Sequence, residues 1–179
     1  MLIRTVALLT LLVWGSGLLA QGELPSTDAE IEAEYQRRIK KEYLNRVYIP
    51  KDLADCFIQL NKLIDEESKA KFKRAPEEVV VRKLHFSLGR WMIHNWSFYQ
   101  GSRLSAYLKD LGIHYPDDMA RFIIITYHRN LNRGELRVKE LVTQFREQRE
   151  EAFEAERRSG EILHEESRIV LPDSLQQKQ

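Results

Sequence analysis

Residues 85–119 bring together His85 and His114, the adjacent carboxylates Asp117 and Asp118, Arg103 behind Gly101-Ser102, and the tryptophans Trp91 and Trp96. Three kinds of chemistry are open to these types. Imidazole beside carboxylate can move protons in a hydrolase or lyase. Gly-Ser-Arg at a helix start offers backbone N–H groups, a hydroxyl and a guanidinium to an anion. Exposed aromatic rings next to that start could line a groove for a peptide or a sugar.

Spacing separates these possibilities. Zinc needs three or four converging ligands, commonly with two His at i,i+4 on one helix. His85, His94, His114 and His128 include no such pair, and His85 and His94 stand about two and a half helical turns apart. No metal and no cofactor are expected. Adjacent helical residues point about 100° apart, so Asp117 and Asp118 cannot easily act on one atom. They suit a helix N-terminus, where each contributes about 0.3–1 kcal/mol at low salt. No G-x-S-x-G, P-loop or Cys/His nucleophile pair is present, so no catalytic residue is assigned. Arg103 calls for an anion. It is either an internal carboxylate, with Asp117 or Asp118 as the candidate, or an external ligand.

The elements that must position these residues are helical almost throughout. Thr27 and Glu30 form a capping box that opens a first helix, with Ile31, Tyr35, Ile39 and Tyr43 on one stripe. Ile49-Pro50 breaks it. Leu53, Cys56, Phe57, Leu60, Leu63 and Ile64 mark a second helix, and a short third one has Phe72 as its anchor. Pro76-Glu77-Glu78 starts a fourth, expected to run to about His94 with Val81, Leu84, Leu88, Trp91 and Met92 inward. Gly89 costs a helix about 1 kcal/mol relative to Ala, which implies close packing against it. Trp96, Phe98 and Tyr99 then fall in a loop, at least one of them exposed. Ser102 caps a fifth helix that Gly112 stops, and Pro116 opens a sixth. Ile123-Ile124-Ile125 could read as strand, but the helix start signal is stronger. Asn132-Arg133-Gly134 is a turn, followed from Glu135 by a long charged helix with an expected Glu154–Arg158 pair and fraying at Ser159-Gly160. Ile169-Val170-Leu171-Pro172 reads as an extended docking strip before a Gln-rich, disordered end.

Composition bounds compartment and partners. Arg4 followed by the apolar residues 6–13 and a plausible end at Ala20 reads as a secretory signal. Leu18 stands where a small residue is usual, so an uncleaved anchor is the competing reading. The short, Gly- and Ser-broken run favours cleavage over a permanent span. Cleavage removes Arg4 alone and leaves 27 basic against 27 acidic residues on about 159 residues, a net charge of zero. That argues against nucleic acid as a partner and against electrostatic membrane docking. Cys56 is the only cysteine, so no intramolecular disulfide can form, and it reads as a small buried residue.

The stretch from Tyr48 to Asn132 resembles a small bacterial domain family of unknown function. The resemblance rests on H-F-x-L-G-x-W-x-x-x-N-W (His85, Phe86, Leu88, Gly89, Trp91, Asn95, Trp96), on G-S-R-L (residues 101–104) and on L-G-I-x-x-P-D-D-M (residues 111–119). It implies no activity. Members are similar to one another in an Asn-Asn-Trp with a Gly-Leu-Trp after it, where this chain has His94-Asn95-Trp96 and Ser97-Phe98-Tyr99. Any loop specificity would differ accordingly.

The expected fold is all-α. It comprises a signal peptide (1–20), an N-terminal amphipathic helix (21–47), a compact multi-helix module (48–134) and a long charged C-terminal helix with its tail (135–179). The expected function is that of an exported, periplasmic or extracellular, non-enzymatic protein. It would bind a protein or peptide of the cell envelope through the 96–103 loop. The candidate binding residues are Trp96, Tyr99, Gly101, Ser102, Arg103, Asp117, Asp118, His85 and His114. The alternative is a small envelope-acting hydrolase or lyase using His and Asp. The oligomeric state is open, with a dimer through the C-terminal helix as one possibility.

Overall fold

A computed structural model describes residues 27–166, with side chains to residue 159. The signal segment and the 169–172 strip lie outside the described residues. The fold is all-α, with one small two-stranded ribbon among the described residues. The order is α1 (Asp28–Arg38), β1 (Tyr43–Leu44), β2 (Val47–Tyr48), α2 (Leu53–Leu63), α3 (Glu66–Arg74) and α4 (Glu77–Leu84). A π-helical turn (His85–Gly89) comes next, then α5 (Arg90–Asn95), α6 (Arg103–Asp110), α7 (Pro116–Leu131) and α8 (Val138–Glu166).

The module is built around α7. Pro116 at its first position sets φ, and Asp117 and Asp118 face the positive end of its dipole. Met119, Ala120, Phe122, Ile123, Ile124, Ile125 and Tyr127 are all buried, so this helix is apolar around most of its circumference, as a central helix must be. The three isoleucines are helical because α2, α3, α4, α6 and α8 surround them, leaving no strand edge to pair with. Tyr127 keeps its polar end satisfied by donating to Asn61 Oδ1 at 2.9 Å, and burial pushes its hydroxyl up to about 12.

Three local expectations are corrected. The first helix ends at Arg38, and Tyr43 belongs to a hairpin (Tyr43 opposite Tyr48, Leu44 opposite Val47). Asn45 and Arg46 both take positive φ, 49° and 65°, which is the two-residue turn that matches strand twist. Leu44 is buried while Tyr43 and Ile31 are exposed, so the predicted stripe Ile31, Tyr35, Ile39, Tyr43 does not form. The fourth helix is interrupted by the π turn. The extra residue rotates the downstream helix by about 100°, and Met92 and Ile93 after it are buried while Trp91 is half-buried; before it Val80 is buried and Val81 and Leu84 are half-buried. In α8 the helix passes through Ser159-Gly160 to Glu166, and the Glu154 carboxylate pairs with Arg157 at 3.1 Å rather than with Arg158. Arg158 instead donates to the Glu154 carbonyl at 3.3 Å.

Gly89 is not forced by the crowding that its position implied: a Cβ there would stand 3.7 Å from Ala120 Cβ, an ordinary contact. Cys56 is buried in the core, and burial pushes its thiol well above the usual range.

Candidate functional site

Arg103 has its anions, but they are not Asp117 and Asp118. Its Nε donates to the Ile49 carbonyl at 2.6 Å, and its guanidinium lies 4.9 Å from the centre of the Tyr48 ring. Its Nη2 sits 3.8 Å from Glu42 and 4.0 Å from Asp55, close enough for charge but without a hydrogen bond. Asp55 is the hub of this cluster. It accepts from Tyr48 Oη at 2.7 Å, from the Lys51 N–H at 3.1 Å and from Gln59 Nε2 at 3.3 Å. Burial alone would raise the Asp55 carboxyl. The hydrogen bonds from Tyr48, Lys51 and Gln59, with the Arg103 charge, outweigh it and hold the group below its usual value of 3.8. The same hydrogen bond, with burial, raises the Tyr48 hydroxyl.

The start of α6 is equally occupied. Ser102 and Ser105 satisfy each other's backbone N–H groups at 2.8 and 3.3 Å. Gly101 takes φ +88°, and its carbonyl accepts from Arg38 Nε at 3.1 Å. The Tyr35 ring covers it so closely that a Cβ would fall 2.4 Å from Cδ2. Gly101 and Ser102 are buried, and Trp96 is 1% exposed between Trp91 (centroids 5.5 Å apart) and Phe98 (6.4 Å). The 96–103 loop is therefore core, with α1 laid over its end. Tyr99 alone among its aromatics is exposed, at 69%.

The two aspartates part ways. Asp118 is 3% exposed and accepts from Arg149 Nε at 2.6 Å, with Arg121 at 3.5 Å. Arg149 lies on α8, so this pair fastens the charged helix to the module, and the guanidinium also stacks 4.4 Å from the Tyr115 ring centre. Its hydrogen bond to Asp118 raises the Arg149 pKa. Asp117 instead faces His85, Nε2 to Oδ1 at 3.4 Å. His85 borders a cleft of about 510 Å³ between α4, α7 and α8, beside Phe86, Arg82, Arg121 and Gln144. The His85 Nδ1 is buried without a hydrogen bond, 3.4 Å from where a Gly89 Cβ would stand. An Asp–His dyad needs its second ring nitrogen turned to the reacting atom, and here that nitrogen faces the helix. His114 and His94 are exposed, and His128 is buried with Nε2 3.0 Å from the Ala75 carbonyl. Among the described residues no three His, Cys, Asp or Glu converge as metal ligands.

A second concavity among the described residues uses none of the residues named from sequence as candidate binding residues. Ile64, Phe72, Ala75, Val79, Leu84 and Leu88 line a groove of about 410 Å³ between α3 and α4, with Lys71 and Lys83 also bordering it. Near the end of α7, the Arg129 guanidinium makes a two-pronged contact with Glu77 at the start of α4, at 2.7 and 2.8 Å. Part of this is legible in the sequence. Leu84 and Leu88, one turn apart, read there as inward, and both are half-buried at the groove.

Residues 49–131 match the family model of a domain of unknown function, DUF6794. The DUF6794 match begins at Ile49, whose carbonyl holds Arg103, and ends with α7. It contains the groove and His85, whereas α1, the ribbon and α8 lie outside it. No curated protein and no solved structure matches the chain. No described helix is long and apolar enough to cross a membrane.

Proposed function

We propose that this is an exported, non-enzymatic protein that captures an amphipathic helix with an acidic flank in the groove between α3 and α4. The observation that carries the reading is the groove itself. Its floor is apolar, its walls are two helices, and Lys71 and Lys83 border it. That is the form in which a helix is received by i, i+3, i+4 anchors, with the lysines choosing the charge of the partner. Export rests on Arg4 and the apolar run at 6–13. The surface differs from the 96–103 loop expected from sequence, because Trp96, Gly101 and Ser102 are buried and Arg103 is engaged internally.

The test is calorimetric titration of the full chain with two synthetic amphipathic helices. One carries Glu and the other Lys on the polar face. The acidic peptide is expected to bind saturably, and the exposed Lys83→Glu change is expected to weaken it about tenfold, or 1.4 kcal/mol. Binding of neither peptide, or binding indifferent to Lys83→Glu and Leu84→Glu alike, sinks the reading.

A hydrolase or lyase is the second reading, favoured by the 3.4 Å approach of His85 to Asp117 beside a cleft. The inward-facing Nδ1 weighs against it. Turnover of an envelope substrate that His85→Gln abolishes and Asp117→Asn slows would establish it.

A further inference from the structure

The C-terminal helix outruns the module it packs on. Val142 lies 3.1 Å from where a Gly112 Cβ would stand, Phe145 is buried beside Arg121, and Arg149 reaches Asp118. Three and four residues further along, the same helical face carries Ala152 and Phe153. Both are exposed, Phe153 at 65%. The helix continues to Glu166, about 25 Å beyond Arg149 at 1.5 Å per residue. Residues 150–156 read Glu-Glu-Ala-Phe-Glu-Ala-Glu, acidic without a single base.

This overhang and the groove are complementary. The groove has an apolar floor bordered by Lys71 and Lys83 with no acidic residue in its lining, although Lys71 also pairs with Glu67 on α3 at 2.6 Å. Overhang and groove are placed apart within one chain. Leu141 and Gln144 of α8 border the cleft with Val81, Arg82 and Phe86 on one side of α4, whereas the groove uses Val79, Val80 and Lys83 on another. α4 therefore stands between the C-terminal helix and the groove of the same chain. Resting on the groove reading above, we infer that the occupant is the acidic overhang of a second copy of this chain, with Phe153 entering the apolar floor. Reciprocal exchange closes such a contact into a two-fold dimer, each groove filled once and no edge left open.

Size exclusion with light scattering on the full chain tests this. A dimer that dissociates on dilution is expected. Phe153→Glu is expected to give a monomer with unchanged helical circular dichroism, since the side chain is exposed. Lys71→Glu/Lys83→Glu and Glu150→Lys/Glu154→Lys are each expected to weaken the dimer about tenfold or more, and mixing these two variants to restore it. A chain that is monomeric at every concentration overturns the inference. So does a dimer indifferent to Phe153→Glu and to both charge reversals. If the monomer still binds the acidic peptide, self-docking fails and the groove reading stands. If it binds neither, both fall.

Discussion

Arg149 donates to Asp118 at 2.6 Å across 31 positions of sequence, and this bond, with the burial of Leu141 and Phe145, joins the long charged helix to the start of the central one. Asp118 is almost wholly buried, and its cationic partners are Arg149 and, more distantly, Arg121. Replacing Arg149 by Ala leaves a carboxylate in the interior with one partner at 3.5 Å. A loss of about 2 kcal/mol is expected, within the range for hydrogen bonds to charged groups. Arg149→Lys is expected to recover only part, because a point charge cannot reproduce both the Nε bond and the stacking on Tyr115. Thermal denaturation of the two variants checks the order. Equal midpoints for Ala and Lys would contradict the geometry.

Gly101 answers to a different constraint. Its φ of +88° disfavours any L side chain, and Tyr35 leaves no room for a Cβ. Gly101→Ala is expected to destabilise by about 1–2 kcal/mol from the backbone term and to lift α1 away from the loop. Hydrogen exchange should then quicken in Asp28–Arg38. In a Gly101→Ala/Tyr35→Ala double variant the steric part disappears and the backbone part remains. Simple additivity of the two single changes would rule out the contact.

Asp55 sets an acid limit on stability. Its folded pKa lies below the ordinary 3.8 through hydrogen bonds that outweigh burial. The stabilisation is therefore present above about 3.8 and is lost as pH falls through the lower folded value. In Asp55→Asn this portion of the slope is expected to be absent. Urea unfolding of both proteins between pH 2 and 4, in steps of about half a unit, reads the difference. Parallel curves would show that Asp55 titrates alike in both states.

Gly89 separates packing from propensity. A Cβ there meets Ala120 Cβ at 3.7 Å and His85 Nδ1 at 3.4 Å, ordinary contacts at a negative φ. Gly89→Ala is expected to lie within about 0.5 kcal/mol of the wild type, because the gain in helix propensity offsets the crowding. Gly89→Leu is expected to cost about 1–3 kcal/mol by overpacking against α7. Stability measured for both variants decides. A large loss for Ala would mean that the π turn itself requires glycine.

By itself, the sequence determined the all-α class, most helix starts and the Gly112 stop. These depend on caps, prolines and dipoles acting within one turn: Thr27 with Glu30, Ser102, Pro116 with two aspartates. It also determined that Arg103 requires an anion. Only the tertiary structure decided which one. Asp55 reaches Arg103 across 48 positions, Arg149 reaches Asp118 and Glu77 reaches Arg129. No local signal carries such pairings, because they depend on where helices cross. The aromatic loop reads as surface because polar and small residues surround it in sequence, and it is core because α1 folds back over Gly101. The groove arises in the same way. It lies between α3 and α4, where Leu84, just before the π turn, and Leu88, within it, stand half-buried against the core.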